Sequence, residues 1–84
     1  MVHVELLIPG ITSEPMEVAL DESMTANQAI ADIARLAKLL LGIEIKDEDM
    51  SSLLLCDVLQ QRVLVATRTL AESKIASGAQ LILV

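Results

Sequence analysis

Few side chains in this sequence could do chemistry: one histidine, His3, one cysteine, Cys56, and a run of carboxylates at Glu14, Glu17, Asp21 and Glu22. Acid–base or nucleophilic work needs a second group within hydrogen-bond reach of the first. His3 falls on the outward half of an alternating strand pattern, and no serine, cysteine or paired carboxylate is set beside it by sequence. It reads as a solvent-face strand residue. Cys56 shares one strand face with Leu54 and Val58 and has no neighbouring cation, so it reads as a buried, inert thiol. A single cysteine also excludes a disulfide within the chain and leaves too few ligands for a thiolate zinc site. The four carboxylates surround a hairpin and read as a solvated face. The KDEDM stretch at 46–50 lacks the alternating ligands, central glycine and closing glutamate of a calcium loop. With the glycines standing singly there is no phosphate-cradling loop. The expectation is a protein with no catalytic residue, no cofactor and no metal.

Composition narrows the class. The 84 residues make room for one domain, 1–84, in which folding buries roughly 60 to 65% of the surface that the unfolded chain exposes. With 54% hydrophobic residues but no Phe, Trp or Tyr, the interior must be aliphatic. No apolar run approaches the roughly 20 residues that span a bilayer, and the opening MVHVELLIPG lacks the basic start and cleavage site of a signal peptide. A soluble, cytoplasmic protein without direct membrane insertion is expected. A net charge of −6 argues against nucleic acid and anionic lipid, both of which are bound by clustered Lys and Arg, and leaves a protein as the expected partner.

The elements that position these residues follow from periodicity. Val2, Val4, Leu6 and Ile8 alternate with His3, Glu5 and Leu7 as a half-buried strand, broken at Pro9 and Gly10. Met16, Val18 and Leu20 then alternate with Glu17, Ala19 and Asp21 as its hairpin mate. Thr25 and Gln28 have the spacing of a capping box, opening a helix whose apolar face is Ala26, Ile30, Ile33, Ala34, Ala37, Leu40 and Leu41, and Gly42 closes it. Leu39 lies among the polar positions and reads as surface. Ile43 and Ile45 anchor the chain after the helix, and 46–50 is a loop. Leu53 to Leu59 and Arg62 to Val65 read as short strands around Gln60 and Gln61, Thr69 and Glu72 as the cap of a helical turn at Thr69 to Ser73, Ser77 and Gly78 as a turn, and Gln80 to Val84 as the last strand.

Order and closing motif together resemble the ubiquitin-like β-grasp family. Leu70 opens the turn, Ile75 follows five residues later, and Leu81 and Leu83 come six and eight residues after that, with Leu64 six residues before Leu70. The resemblance implies an α+β fold with a mixed sheet of four to five strands packed on one main helix. Ser73 stands where many members carry a tyrosine that ties the turn to the backbone, a loss of about 1 kcal/mol. The helix "ANQAIADIARLAKLL" and the ending "LAESKIASGAQLILV" look most like the YukD and EsaB group, small bacterial ubiquitin-like proteins associated with type VII, or ESX-like, secretion. Conjugated or thiocarboxylated relatives need a flexible Gly-Gly arm. Here Val84 closes the sequence on a β-branched strand residue, so neither conjugation nor sulfur transfer is expected.

Without chemistry, a contact surface remains. If Leu81 and Leu83 point toward the helix and Leu54, Cys56 and Val58 do likewise, the opposite face of the sheet gathers Leu7, Leu53, Leu55, Ile82 and Val84, beside Asp57, as an exposed apolar patch. That patch would bind a protein partner, such as a secretion-system component, or a second copy of the domain. Alternatively the segment from Ile43 to Ser52 covers it, or the inward and outward sets of the third strand are exchanged. The resemblance implies a non-enzymatic accessory of a type VII-like secretion system; a β-grasp adaptor without that role, or a degenerate sulfur carrier, are the other readings.

Overall fold

The computed structural model describes residues 1–84, the side chain of Asp47 apart. Alternation sets the first hairpin: β1 (Val2–Leu7) runs antiparallel to β2 (Met16–Leu20), with Val4 opposite Val18 and Leu6 opposite Met16. Val4, Leu6, Ile8, Val18 and Leu20 are buried, whereas His3, Glu5 and Glu17 are exposed on the other face.

The main helix, α1 (Ala26–Leu41), begins at the expected capping box. The Gln28 amide donates to the Thr25 hydroxyl at 3.2 Å, and the Thr25 amide donates to the Gln28 side chain at 2.8 Å. Two further first-turn amides, which no helix can satisfy internally, donate to a crossing loop: Ala26 to the Arg68 carbonyl at 3.0 Å and Asn27 to Ala66 at 3.1 Å. At the far end Gly42 takes φ 68°, and its amide reaches the carbonyls of Ala37 and Lys38. Ala26, Ala29, Ile30, Ile33, Ala34 and Ala37 are buried on the sheet side. Leu40 and Leu41, expected on that face, are not: they are 72% and 41% exposed beside Leu39. Ala37 is the last buried residue of α1, and no part of the described domain covers the turn that follows.

The stretch expected as a loop holds a single helical turn, α2 (Asp47–Met50). Ile45 and Met50 line a hollow with Ala31, Ala34, Arg35 and Lys38, so this segment lies against the helix and not over the sheet's other face.

The remaining strands are β3 (Leu55–Asp57), β4 (Arg62–Val63) and β5 (Gln80–Leu83). They complete a five-stranded mixed sheet in the order β2-β1-β5-β3-β4, in which β5 lies between β1, parallel, and β3, antiparallel. The core is aliphatic and lies between one face of this sheet and α1, where Leu6, Leu20, Ile33, Leu55, Leu70, Leu81 and Leu83 are all at most 2% exposed. The four leucines and the isoleucine of the closing motif, Leu64, Leu70, Ile75, Leu81 and Leu83, are all in it.

Between β4 and β5 the second capping box forms as expected: the Thr69 amide donates to the Glu72 carboxylate at 2.9 Å, and the Glu72 amide to the Thr69 hydroxyl at 3.0 Å. Ser73 is buried, and its carbonyl accepts a hydrogen bond from the Arg62 guanidinium. A cationic side chain from β4 thus ties this turn to the sheet.

The third strand corrects the expected parity. Leu55 is 1% exposed and Asp57 2%, so both face the core, and Leu53 packs against it; Leu54, Cys56 and Val58 occupy the other face. Asp57 can be buried because its carboxylate accepts the amides of Leu59 at 3.1 Å and Gln60 at 3.3 Å, closing the turn into β4. Once its polarity is satisfied by backbone, a carboxylate no longer has to mark a solvent face.

Candidate functional site

The outer face of the sheet, away from α1, is assembled from alternate residues of four strands. Pairing sets Leu7 beside Ile82, Ile82 beside Cys56, and Cys56 beside Val63, one row running across β1, β5, β3 and β4. A second row starts where Leu54 and Val84 exchange backbone hydrogen bonds of 2.7 and 2.9 Å. Cross-strand neighbours on one face lie close enough to form a continuous surface, so these side chains make one patch and not scattered apolar positions.

The patch is partly open to solvent. Leu7, Cys56 and Ile82 are half-buried by their neighbours, while Leu54, Val63 and Val84 are 48%, 51% and 51% exposed. Two shallow hollows meet on it. One, of about 210 Å³, is lined by Leu7, Pro15, Val58 and Ile82 with Glu5 and Gln80; the other, of about 410 Å³, lies between Cys56, Val58, Val63 and Ile82 beside Arg62.

Of the five residues expected here, Leu7, Ile82 and Val84 are on this face, whereas Leu53 and Leu55 are turned into the core. Cys56, expected in the core, is a free thiol near the centre of the patch. Leu54, Cys56, Val58 and Val63 are the members that sequence reasoning missed. The signal for Val63 was available: Leu64 carries the core spacing, so the alternation of a strand puts Val63 and Val65 outward. For Leu54, Cys56 and Val58 none was, because both alternating sets of LLLCDVL are apolar apart from Asp57, which reads as outward but is buried.

Acid gathers at one flank of this face, and Arg62 stands beside the hollow at the other. Glu5 and Glu17 are cross-strand partners on β1 and β2, and the imidazole Nδ1 of His3 lies 3.4 Å from Glu17. His3 is paired with Ala19 toward one side of the sheet and Cys56 with Ile82 and Val63 toward the other, so the histidine and the thiol are strands apart.

An archaeal ubiquitin from Caldiarchaeum subterraneum superposes with a TM-score of 0.70 over 98% of this chain and 89% of its own, at 16% sequence identity. The ubiquitin-like domain of an Arabidopsis thaliana protein gives 0.69 over 99% of this chain and 74% of its own, at 17% identity. A chain of the toluene 4-monooxygenase HD complex with the inhibitor 4-bromobenzoate gives 0.74 over 98% and 94%, at 11% identity. No family model and no curated protein sequence matches the chain. The protein has the ubiquitin-like β-grasp fold, an α+β architecture with a mixed five-stranded sheet on one main helix. Likeness at these identities defines the fold; the use made of it is a separate question, since one fold carries many functions.

Proposed function

We propose that this domain works as a non-enzymatic protein-interaction module whose docking surface is the outer sheet face. The observation that supports it is the continuous row Leu7, Ile82, Cys56 and Val63, partly open to solvent on the sheet face that α1 does not cover. Leaving such a row in water costs free energy, which covering it with a partner recovers at about 25 cal/mol per Å² of apolar surface buried. In its finer form the reading makes the partner a component of a bacterial type VII-like secretion system. Support for that step comes from the helix "ANQAIADIARLAKLL" and the ending "LAESKIASGAQLILV", whose style resembles the YukD and EsaB group.

Photo-crosslinking separates the two levels. A benzophenone residue at position 63 should trap a protein in the native host, and Ile82→Asp should abolish the adduct while the far-UV circular dichroism spectrum is retained. Trapping a secretion ATPase or a membrane component of the same machine would support the finer reading. If deletion of the gene left secretion of small helical substrates unchanged, the secretion role would be lost and the docking face would stand. If a benzophenone at position 39, on the exposed end of α1, trapped the partner and position 63 did not, the docking face would be wrong.

A further inference from the structure

The flank charge of the outer face says what kind of segment belongs there. Glu5 and Glu17 sit directly opposite each other across β1 and β2, both exposed, and Glu14 precedes Pro15 in the turn above the same flank. Like charges placed opposite each other weaken a strand pair, and the ladder keeps them there whatever is bound. Glu17 has the His3 ring nearby; Glu5 has no cationic partner among the described residues. Glu5 is also one wall of the hollow of about 210 Å³ whose other walls include Leu7, Pro15, Val58 and Ile82.

An apolar hollow with a carboxylate on its rim suits one kind of side chain, a Lys or Arg, whose methylene stem covers apolar surface while its head keeps to the charged edge. We infer that the outer face takes a basic amphipathic protein segment, with aliphatic residues over Ile82, Cys56 and Val63 and a Lys or Arg in the hollow beside Glu5, whose cross-strand neighbour Glu17 adds to the negative charge. The inference rests on the docking reading above and adds the chemistry of the occupant. The same carboxylates repel an anionic lipid surface, and a second copy of this chain, with its net charge of −6, brings more acid than base.

The test titrates the isotopically labelled domain, followed by amide chemical shifts, with two synthetic helical peptides of identical leucine pattern. One carries lysine at the remaining positions and the other glutamate. The lysine peptide should move the amides of Leu7, Val58 and Ile82, and the glutamate peptide should not. Glu5→Gln with Glu17→Gln should weaken lysine-peptide binding about fivefold, the upper end for exposed ion pairs. Glu44→Gln with Glu48→Gln, which removes as much charge from the helix side, should leave it unchanged, and Val63→Ser should weaken it through lost apolar contact. Equal binding of both peptides at these amides would overturn the basic occupant and leave the docking face standing. Shifts confined to other residues would overturn both. No binding of the lysine peptide, or equal weakening by the Glu44 and Glu48 changes, would overturn the inference. So would pelleting with phosphatidylglycerol vesicles, or a sedimentation dimer that uses this face and ignores the Glu5 and Glu17 changes.

Discussion

The two faces of the sheet are built from the same residue types and come to opposite ends. On β5, Leu81 and Leu83 are 1% and 2% exposed, while Ile82 between them is half-buried and Val84 beyond is 51% exposed. Hydrophobicity does not separate these sets; the helix does, by lying on one face and leaving the other bare. An apolar side chain on a strand is therefore core or contact surface according to what is packed on its face.

Mutations that treat the faces as equivalent should reveal the difference. The largest effect is expected at Leu55→Ala or Leu81→Ala, which open cavities in the core and should cost about 2 to 5 kcal/mol, a large share of a small domain's stability. Urea denaturation followed by circular dichroism measures it, since no Trp or Tyr provides a fluorescent signal. Next comes Asp57→Ala, which strands the amides of Leu59 and Gln60 and should cost about 1 to 3 kcal/mol. A neutral outcome there would mean that the buried carboxylate does not hold the β3–β4 turn. On the outer face Ile82→Ser or Val63→Ser should cost less than about 1 kcal/mol in the same measurement while removing partner capture; a loss as large as that of Leu81→Ala would erase the distinction between the faces.

The smallest effect concerns acid, away from both faces. The amide and then the hydroxyl of Thr69 hold the Glu72 carboxyl below its ordinary value, and the amide and hydroxyl of Ser23 do the same for Asp21. Because the folded value lies below the unfolded one, the stabilisation is present above the ordinary carboxylate range and is lost as pH falls through it. Both groups are exposed, so the change is slight. The melting temperature should be flat above about pH 5 and fall below it, with Glu72→Gln flattening part of the fall.

Most of the fold was legible because most elements carry one unambiguous period or cap. Val2 to Ile8, the Thr25–Gln28 and Thr69–Glu72 boxes, Gly42, and the leucine spacing from Leu64 to Leu83 each point one way. The docking face was legible only in part. Leu7, Ile82 and Val84 follow from their neighbours on well-patterned strands, but LLLCDVL is apolar at both parities, and its one polar residue misleads. Asp57 reads as a solvent marker, yet it is buried and bonded to amides that belong to a turn still to come in the sequence. Leu40 and Leu41 fail for a different reason. Their wheel positions are right, but amphipathicity does not say how far the supporting surface extends.

The parallel contact between β1 and β5 has a mechanical consequence. The strands nearest the two ends of the described chain lie side by side at the centre of the sheet, with Leu6 beside Leu81 and Leu7 beside Ile82. Tension applied at residues 1 and 84 pulls β1 and β5 in opposite directions along their own axes. The hydrogen bonds between them are then loaded together in shear, and cannot open one after another as in a peeled hairpin. A domain threaded or tugged from both ends would yield late and all at once, whereas force applied across the β1–β2 hairpin would open it one rung at a time.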